Sequence, residues 1–284
     1  MLLRALPLIA AIAFGPTPPT ANAVPTVDAY RGLGTWVSIY SKSTLDDPGG
    51  AVARMKAQGV QTVYLETSNW RQSTDIVRPG TLAAMIEAAH AQGIKVVAWY
   101  LPSYEPVRTD LRRSLNAIGF TTPTAQRFDG FALDIEATEV GSIPRRNRLQ
   151  GRLAANLRRS VGPDYPLGAI VPEAGALYWP GFPYAQTARY FDVFLPMAYF
   201  TFRVHGAGAV RSYVGRNIST IKSIVGADTP VHPIGGEADH ATASEVAAYV
   251  RAARAGGAIG ASLYDFNGTT PAAWSQLGRF PAAS

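Results

Sequence analysis

Eight short runs rich in Val, Ile, Leu and aromatics punctuate the chain at 34–40, 61–66, 95–101, 130–136, 167–171, 193–199, 231–234 and 258–264. Between them lie segments whose apolar residues recur at helical spacing, including 51–58, 81–92, 110–118, 145–161, 210–224 and 243–254. Gly59, Gly93, Gly162, Gly226 and Gly256 fall where these helices should stop, and a left-handed cap costs glycine least. Repetition of strand, helix, glycine and strand is the pattern of βα units feeding a parallel sheet. Eight strands suit a closed (β/α)8 barrel better than an open doubly wound sheet. No Gly-x-Gly-x-x-Gly follows the first strand, which weakens a dinucleotide-binding reading.

The first 23 residues are read separately. Met1-Leu2-Leu3-Arg4 is a short positive segment, Ala5 to Phe14 is an apolar run too short for a stable span, and Ala21-Asn22-Ala23 offers a small-x-small cleavage pattern. A signal peptide cleaved after Ala23 is expected, with secretion and no lasting membrane insertion. A membrane anchor is the alternative, opposed by Pro7 and Gly15 within and just after the apolar run. Residues 24–284 then form one domain of barrel length, although length alone would also admit two small domains. The chain has no cysteine, which excludes disulfides, thiolate nucleophiles and Cys-based zinc sites. Lys and Arg total 26 against 20 Asp and Glu. The excess sits in helical stretches, as in Arg112-Arg113, Arg145-Arg146, Arg148, Arg152 and Arg158-Arg159. Solvated outer helix faces account for it better than a nucleic-acid surface, for which there is no motif; weak attraction to anionic wall polymers is a minor alternative.

Catalytic groups of a (β/α)8 barrel sit at the C-terminal ends of strands and in the loops that follow. The acidic residues so placed are Glu66, Asp134, Glu136, Glu173, Glu237, Asp239 and Asp265. The fourth strand is the most informative. Strand side chains alternate between faces, so Phe131, Leu133 and Ile135 should pack against helices while Ala132, Asp134 and Glu136 point into the barrel. Their Cα atoms would be roughly 6.6 Å apart, close enough for each acid to disfavour ionisation of the other. A rim-stabilising network with loop amides and arginines is the alternative to a working carboxylate site.

The run Asp129-Gly130-Phe131-Ala132-Leu133-Asp134-Ile135-Glu136 resembles the strand-four motif of the chitinase-like family 18 glycoside hydrolases, Asp-Gly-x-Asp-x-Asp-x-Glu. The resemblance implies Glu136 as general acid, with Asp134 orienting the substrate N-acetyl group that serves as internal nucleophile. Met197-Ala198-Tyr199 is similar to that family's Met-x-Tyr, implying that the Tyr199 hydroxyl steadies the intermediate. Tyr264 lies where the family places a Trp. The departures are Ala132 for the first motif Asp, Phe200 for the acid after Met-x-Tyr, and Tyr264 itself. The strings Gly-Val-Gln-Thr-Val-Tyr-Leu-Glu-Thr-Ser-Asn, Val-Val-Ala-Trp-Tyr-Leu-Pro and Ala-Ser-Leu-Tyr-Asp-Phe resemble an exported, uncharacterised bacterial family of glycosidase-like barrels, which supplies no substrate.

With a carbohydrate as the expected ligand, Glu66 is a second carboxylate across the mouth or the partner of a barrel cation. Asp265 borders the same end or caps the turn through Asn267 and Gly268. Among aromatics near strand ends, Trp70, Tyr100, Tyr104, Trp179 and Tyr264 are candidate sugar contacts, whereas Trp99 reads as core. Met197 completes the candidate binding set. His205 and His232 are weaker ligand candidates. No His-x-x-x-His or Glu-x-x-His pattern exists, and neither metal nor cofactor is expected. Acyl transfer lacks its Gly-x-Ser-x-Gly elbow. The expected activity is hydrolysis of an extracellular or wall polysaccharide by a monomer. Its rivals are a non-catalytic glycan-binding barrel, favoured by Ala132 and Phe200, and a metal-dependent hydrolase using Glu66, Asp134 and Glu136.

Overall fold

The computed structural model describes residues 26–282, so the leader expected at 1–23 lies outside the described residues. Eight strands run in parallel: β1 Gly32–Val37, β2 Thr62–Asn69, β3 Lys95–Leu101, β4 Gly130–Asp134, β5 Leu167–Val171, β6 Val193–Pro196, β7 Ile234–Glu237 and β8 Gly260–Tyr264. Consecutive strands are neighbours, β1 pairs with β8, and bridges Phe194–Val231 and Met197–Ile234 join β6 to β7. The result is a single (β/α)8 barrel. Its helices are α1 Lys42–Leu45, α2 Pro48–Ala57, α3 Pro79–Ala91, α4 Val107–Ile118, α5 Ile143–Val161, α6 Tyr184–Thr187, α7 Ala207–Val225, α8 Ala243–Ala255 and α9 Pro271–Leu277. No helix among the described residues is long and apolar enough to cross a membrane.

Local chemistry explains most boundaries. Pro48, Pro79 and Pro271 sit in the first helical turns, where a missing N–H costs nothing. Thr242 and Glu245 form a reciprocal capping box at the start of α8. Gly59, Gly93, Gly162 and Gly226 have the positive φ expected after a helix. After α8 that conformation falls on Gly257, while Gly256 keeps a negative φ. The seventh strand starts at Ile234 rather than 231, since Pro233 has no N–H to give the ladder and only an isolated bridge precedes it. The sixth ends at Pro196 rather than 199, and the backbone then turns through Ala198 and Phe200.

Two apolar layers divide the core. Outside the sheet, Phe131, Leu133 and Ile135 pack with helix residues such as Leu153, Leu157, Val214 and Val246. Inside, Tyr30, Trp36, Tyr64, Val97, Trp99, Ala132, Ile170, Leu195, Met197 and Ile234 fill the barrel. Tyr30 plugs the lower end, and its hydroxyl donates to the carbonyl oxygens of Phe131 (2.8 Å) and Pro166 (3.1 Å). The plug needs small neighbours. A Cβ on Gly168 would lie 2.8 Å from the Tyr30 ring, and one on Gly260 would lie 2.1 Å from His232 Nδ1.

Candidate active site

The inner side chains fill the barrel only to the level of Trp36 and Trp99. Above them, at the C-terminal strand ends, opens a cavity of about 310 Å³, within the range of about 300–1,000 Å³ usual for small-molecule sites. Asp134, Glu136, Glu66 and Glu237 supply its acids, Tyr199, Tyr264, Tyr40, Trp36 and Trp99 its aromatics, and Asn69 and Arg71 its remaining polar wall. Met197, Ile170, Ile234 and Leu101 complete the lining.

Strand alternation delivers the acids. Ala132 lies in the inner layer, Asp134 two residues on is 7% exposed, and Glu136, just past the strand, is half-buried. Ile135 N still donates to Ile170 O at 2.8 Å as the chain turns away from the strand, and Glu136 lines the cavity beside Asp134. Neither carboxyl has a hydrogen-bond or ion-pair partner among the described residues, and Asp134 Oδ1 is a buried acceptor without a donor. The rim-network alternative therefore has no contacts to rest on. Burial, then the neighbouring Glu136 and Glu66, drives the Asp134 pKa well above the carboxylate range. Burial and Glu139 raise that of Glu136, with Arg71 opposing.

Glu66 is held differently. Its Oε2 accepts from Ile39 N at 3.0 Å and its Oε1 from Asn69 Nδ2 at 3.0 Å. These bonds favour the anion, yet burial outweighs them and, with Glu136 adding repulsion, the pKa rises to about 7. Glu66 pairs with no cation, contrary to the ion-pair alternative. A register shift between Glu66 and Ser68 of β2 places an extra residue, Thr67, against β3. The bulge reverses the phase of the strand end: Asn69 and Arg71 line the cavity, and Trp70 does not.

Of the residues expected from sequence, the fold gathers Glu136, Asp134, Tyr199, Glu66, Met197 and Tyr264 around one cavity. It keeps Trp70, Tyr100, Tyr104 and Asp265 out of the lining. Trp70 is half-buried under the Arg71 guanidinium, 4.9 Å from its ring centre. Tyr100 faces the outer core, where its hydroxyl donates to Asp110 Oδ1 at 2.6 Å. Tyr104 (φ 71°) is fully buried edge-on to Trp179, itself a core residue. Asp265 accepts from Gly268 N at 3.0 Å and so caps its own turn, and the Tyr264–Asp265 peptide is cis. His205 is exposed and His232 lies buried at the barrel floor. Phe200 packs on Tyr249 in the outer core, so the position after Met-x-Tyr contributes nothing to the cavity.

Trp36, Asn69 and Arg71 line the cavity without having been expected there, and Trp99 is both core and lining. Trp99 Nε1 is a buried donor without a partner, opposite in character to Asp134 Oδ1. Among the described residues, the one set of three acidic or imidazole groups with ligand atoms within 4.8 Å of one another is Glu237, Asp239 and His240 at the rim. Glu66, Asp134 and Glu136 do not form such a set, which removes the geometric basis for the metal-hydrolase alternative.

No family model and no curated protein sequence matches the chain. Solved structures do match. A chitinase from Chromobacterium violaceum superimposes with a TM-score of 0.64 at 14% identity, over 88% of this chain and 98% of that one. An endo-1,4-β-mannanase from Rhizomucor miehei gives 0.64 at 11% identity, over 86% and 89%. The spore cortex-lytic enzyme of Bacillus cereus gives 0.61 at 11%, over 89% and 74%. At such identities the likeness is one of fold, and the fold is the (β/α)8 barrel that glycoside hydrolases use.

Proposed function

We propose that the protein is a secreted glycoside hydrolase acting on an extracellular or wall polysaccharide, with Glu136 as general acid and Asp134 as its orienting or pKa-tuning partner. The observation carrying this reading is the pair of acids at the end of β4 and just past it, partnerless in one cavity. An acid whose pKa burial raises can hold its proton and pass it to a glycosidic oxygen as the bond to the anomeric carbon breaks. The developing positive charge then faces Asp134, Glu66 and Glu237. The nucleophile is either a substrate N-acetyl oxygen, as the family resemblance implies, or a water activated by Glu66. In this reading the Tyr199 hydroxyl steadies the intermediate, as the family resemblance implies, and Tyr264 and Trp36 offer apolar faces to a sugar ring. The neighbours of like fold, named as chitinase, mannanase and cortex-lytic enzyme, support the same class. Export rests on the leader pattern in residues 1–23, and a monomer suffices because the cavity is built from one chain.

The test is Glu136→Gln assayed on chromogenic glycosides and wall polysaccharides, with binding measured alongside cleavage. Turnover should fall by a factor on the order of 100–10,000 while binding persists. Undiminished turnover would remove Glu136 from the role. A non-catalytic glycan-binding barrel is the second reading, favoured by Ala132, where a third inward acid would stand in the resembled motif. Tight binding by the wild type without any product would establish it.

A further inference from the structure

Four carboxyl groups line the cavity, and among the described residues a single cation does, Arg71. Its position is built. Asn69, inward because of the β2 bulge, accepts from Arg71 N at 3.0 Å through Oδ1 and donates through Nδ2 to Glu66. One side chain thus fixes both the acid and the turn that carries the arginine. The guanidinium lies over the Trp70 ring at 4.9 Å, and it makes no hydrogen bond or ion pair with any described residue. Nearby carboxyl groups do not capture it, although Glu136 is close enough to feel its charge. A planar fork of N–H donors, propped on an indole and left open at the mouth of an acid-lined cleft, matches the two oxygens of a carboxylate. Two residues of the same lining, Asp134 and Trp99, each carry a buried polar atom without a partner, Oδ1 and Nε1.

Resting on the glycosidase reading above, we infer that the substrate is an acidic glycan, and that Arg71 binds a carboxylate carried by the sugar seated beside Glu66 and Glu136. The shared chemistry is a carboxylated sugar, whether the carboxylate belongs to a uronic acid or to a lactyl ether. The substrate carboxylate would serve as the ion-pair partner that none of the cavity's own acids provides. A neutral glycan in the same cleft would leave the guanidinium facing solvent.

The experiment compares binding and cleavage of matched polymers before and after chemical reduction of their carboxyl groups: a uronic-acid polysaccharide as one arm and muramic-acid-containing wall glycan as the other. At low salt the wild type should prefer one of the acidic forms over its reduced partner by about tenfold or more. The preference should shrink as salt rises. Arg71→Gln should collapse that ratio towards one, and Arg71→Lys, which keeps charge without the fork, should retain part of it. If Arg71 merely tunes Glu136, Arg71→Gln would move the acid limb of the pH profile equally for acidic and reduced substrates and leave the ratio intact, which would overturn the inference. Preference for the reduced forms would overturn it too, while leaving the glycosidase reading in place. Absence of binding and cleavage with every polymer would remove both.

Discussion

Polar side chains line the inside of this barrel at both ends, but they are treated in opposite ways. At the floor, the Tyr30 carbonyl accepts from His232 Nδ1 (2.8 Å), so that nitrogen bears the proton. Nε2 then accepts from the Ser262 hydroxyl (3.0 Å), which itself accepts from Trp36 Nε1 (2.8 Å). Every member has a partner, and burial pushes the His232 pKa down to about 4, keeping the ring neutral. At the mouth, Asp134 and Glu136 have no protein partner and their pKa values move upward. A satisfied buried network specifies the fold; an unsatisfied one costs stability and stays in place only if something else uses it. The contrast separates the part of the barrel that holds it together from the part where the proposed chemistry would take place.

The comparison breaks most readily through the acids. Asp134→Asn and Glu136→Gln should each lower turnover on the order of 100–10,000-fold, with melting temperatures close to the wild type, because neither carboxyl makes a bond to lose. Loss of fold in either would place these groups with the floor. The reverse is expected of His232→Ala, which strips partners from Ser262 and Tyr30 and opens a void. Unfolding in denaturant should register a cost of about 3 kcal/mol. An unchanged midpoint would deny the floor its structural role.

Opposite pKa displacements give the two ends opposite pH slopes. The folded pKa of His232 lies below its unfolded value, so its contribution is complete above about pH 6.5 and is lost as pH falls towards 4. Glu66 is raised to about 7 from 4.5, so its folded form prefers the proton, and stability declines as pH climbs between those values. Glu66→Gln should therefore flatten the decline between about pH 4.5 and 7 and gain up to about 3 kcal/mol over the wild type near pH 8. Parallel stability curves for the two proteins would contradict the assignment. The smallest effect sharpens the boundary: Tyr100→Phe removes one buried hydrogen bond to Asp110 and should cost about 1 kcal/mol while leaving substrate binding alone.

Strand and helix periodicity made the barrel legible, together with the β4 acids, Tyr199 and Tyr264, since all depend on where strands end and which face a residue takes. What periodicity missed follows from interruptions in it. Strict alternation from Glu66 turns Ser68 and Trp70 inward, and the bulge at Thr67 substitutes Asn69 and Arg71. Tyr100 could have been placed correctly, because it is out of phase with Trp99, the inward residue beside it. Tyr104 could not, because a positive φ in the loop folds it back into the outer core. Pro233 and Pro196 shortened strands whose composition still reads as β.

The most direct measurement follows the protonation of the mouth carboxyl groups themselves, by infrared difference spectroscopy or carbon-13 NMR of labelled Asp and Glu. A neutral carboxyl signal should persist above the ordinary carboxylate range in the wild type and diminish in Asp134→Asn and in Glu136→Gln. Full ionisation of every Asp and Glu by pH 5 would mean that the cleft stores no proton to give, and the acid-catalytic account would fall with it.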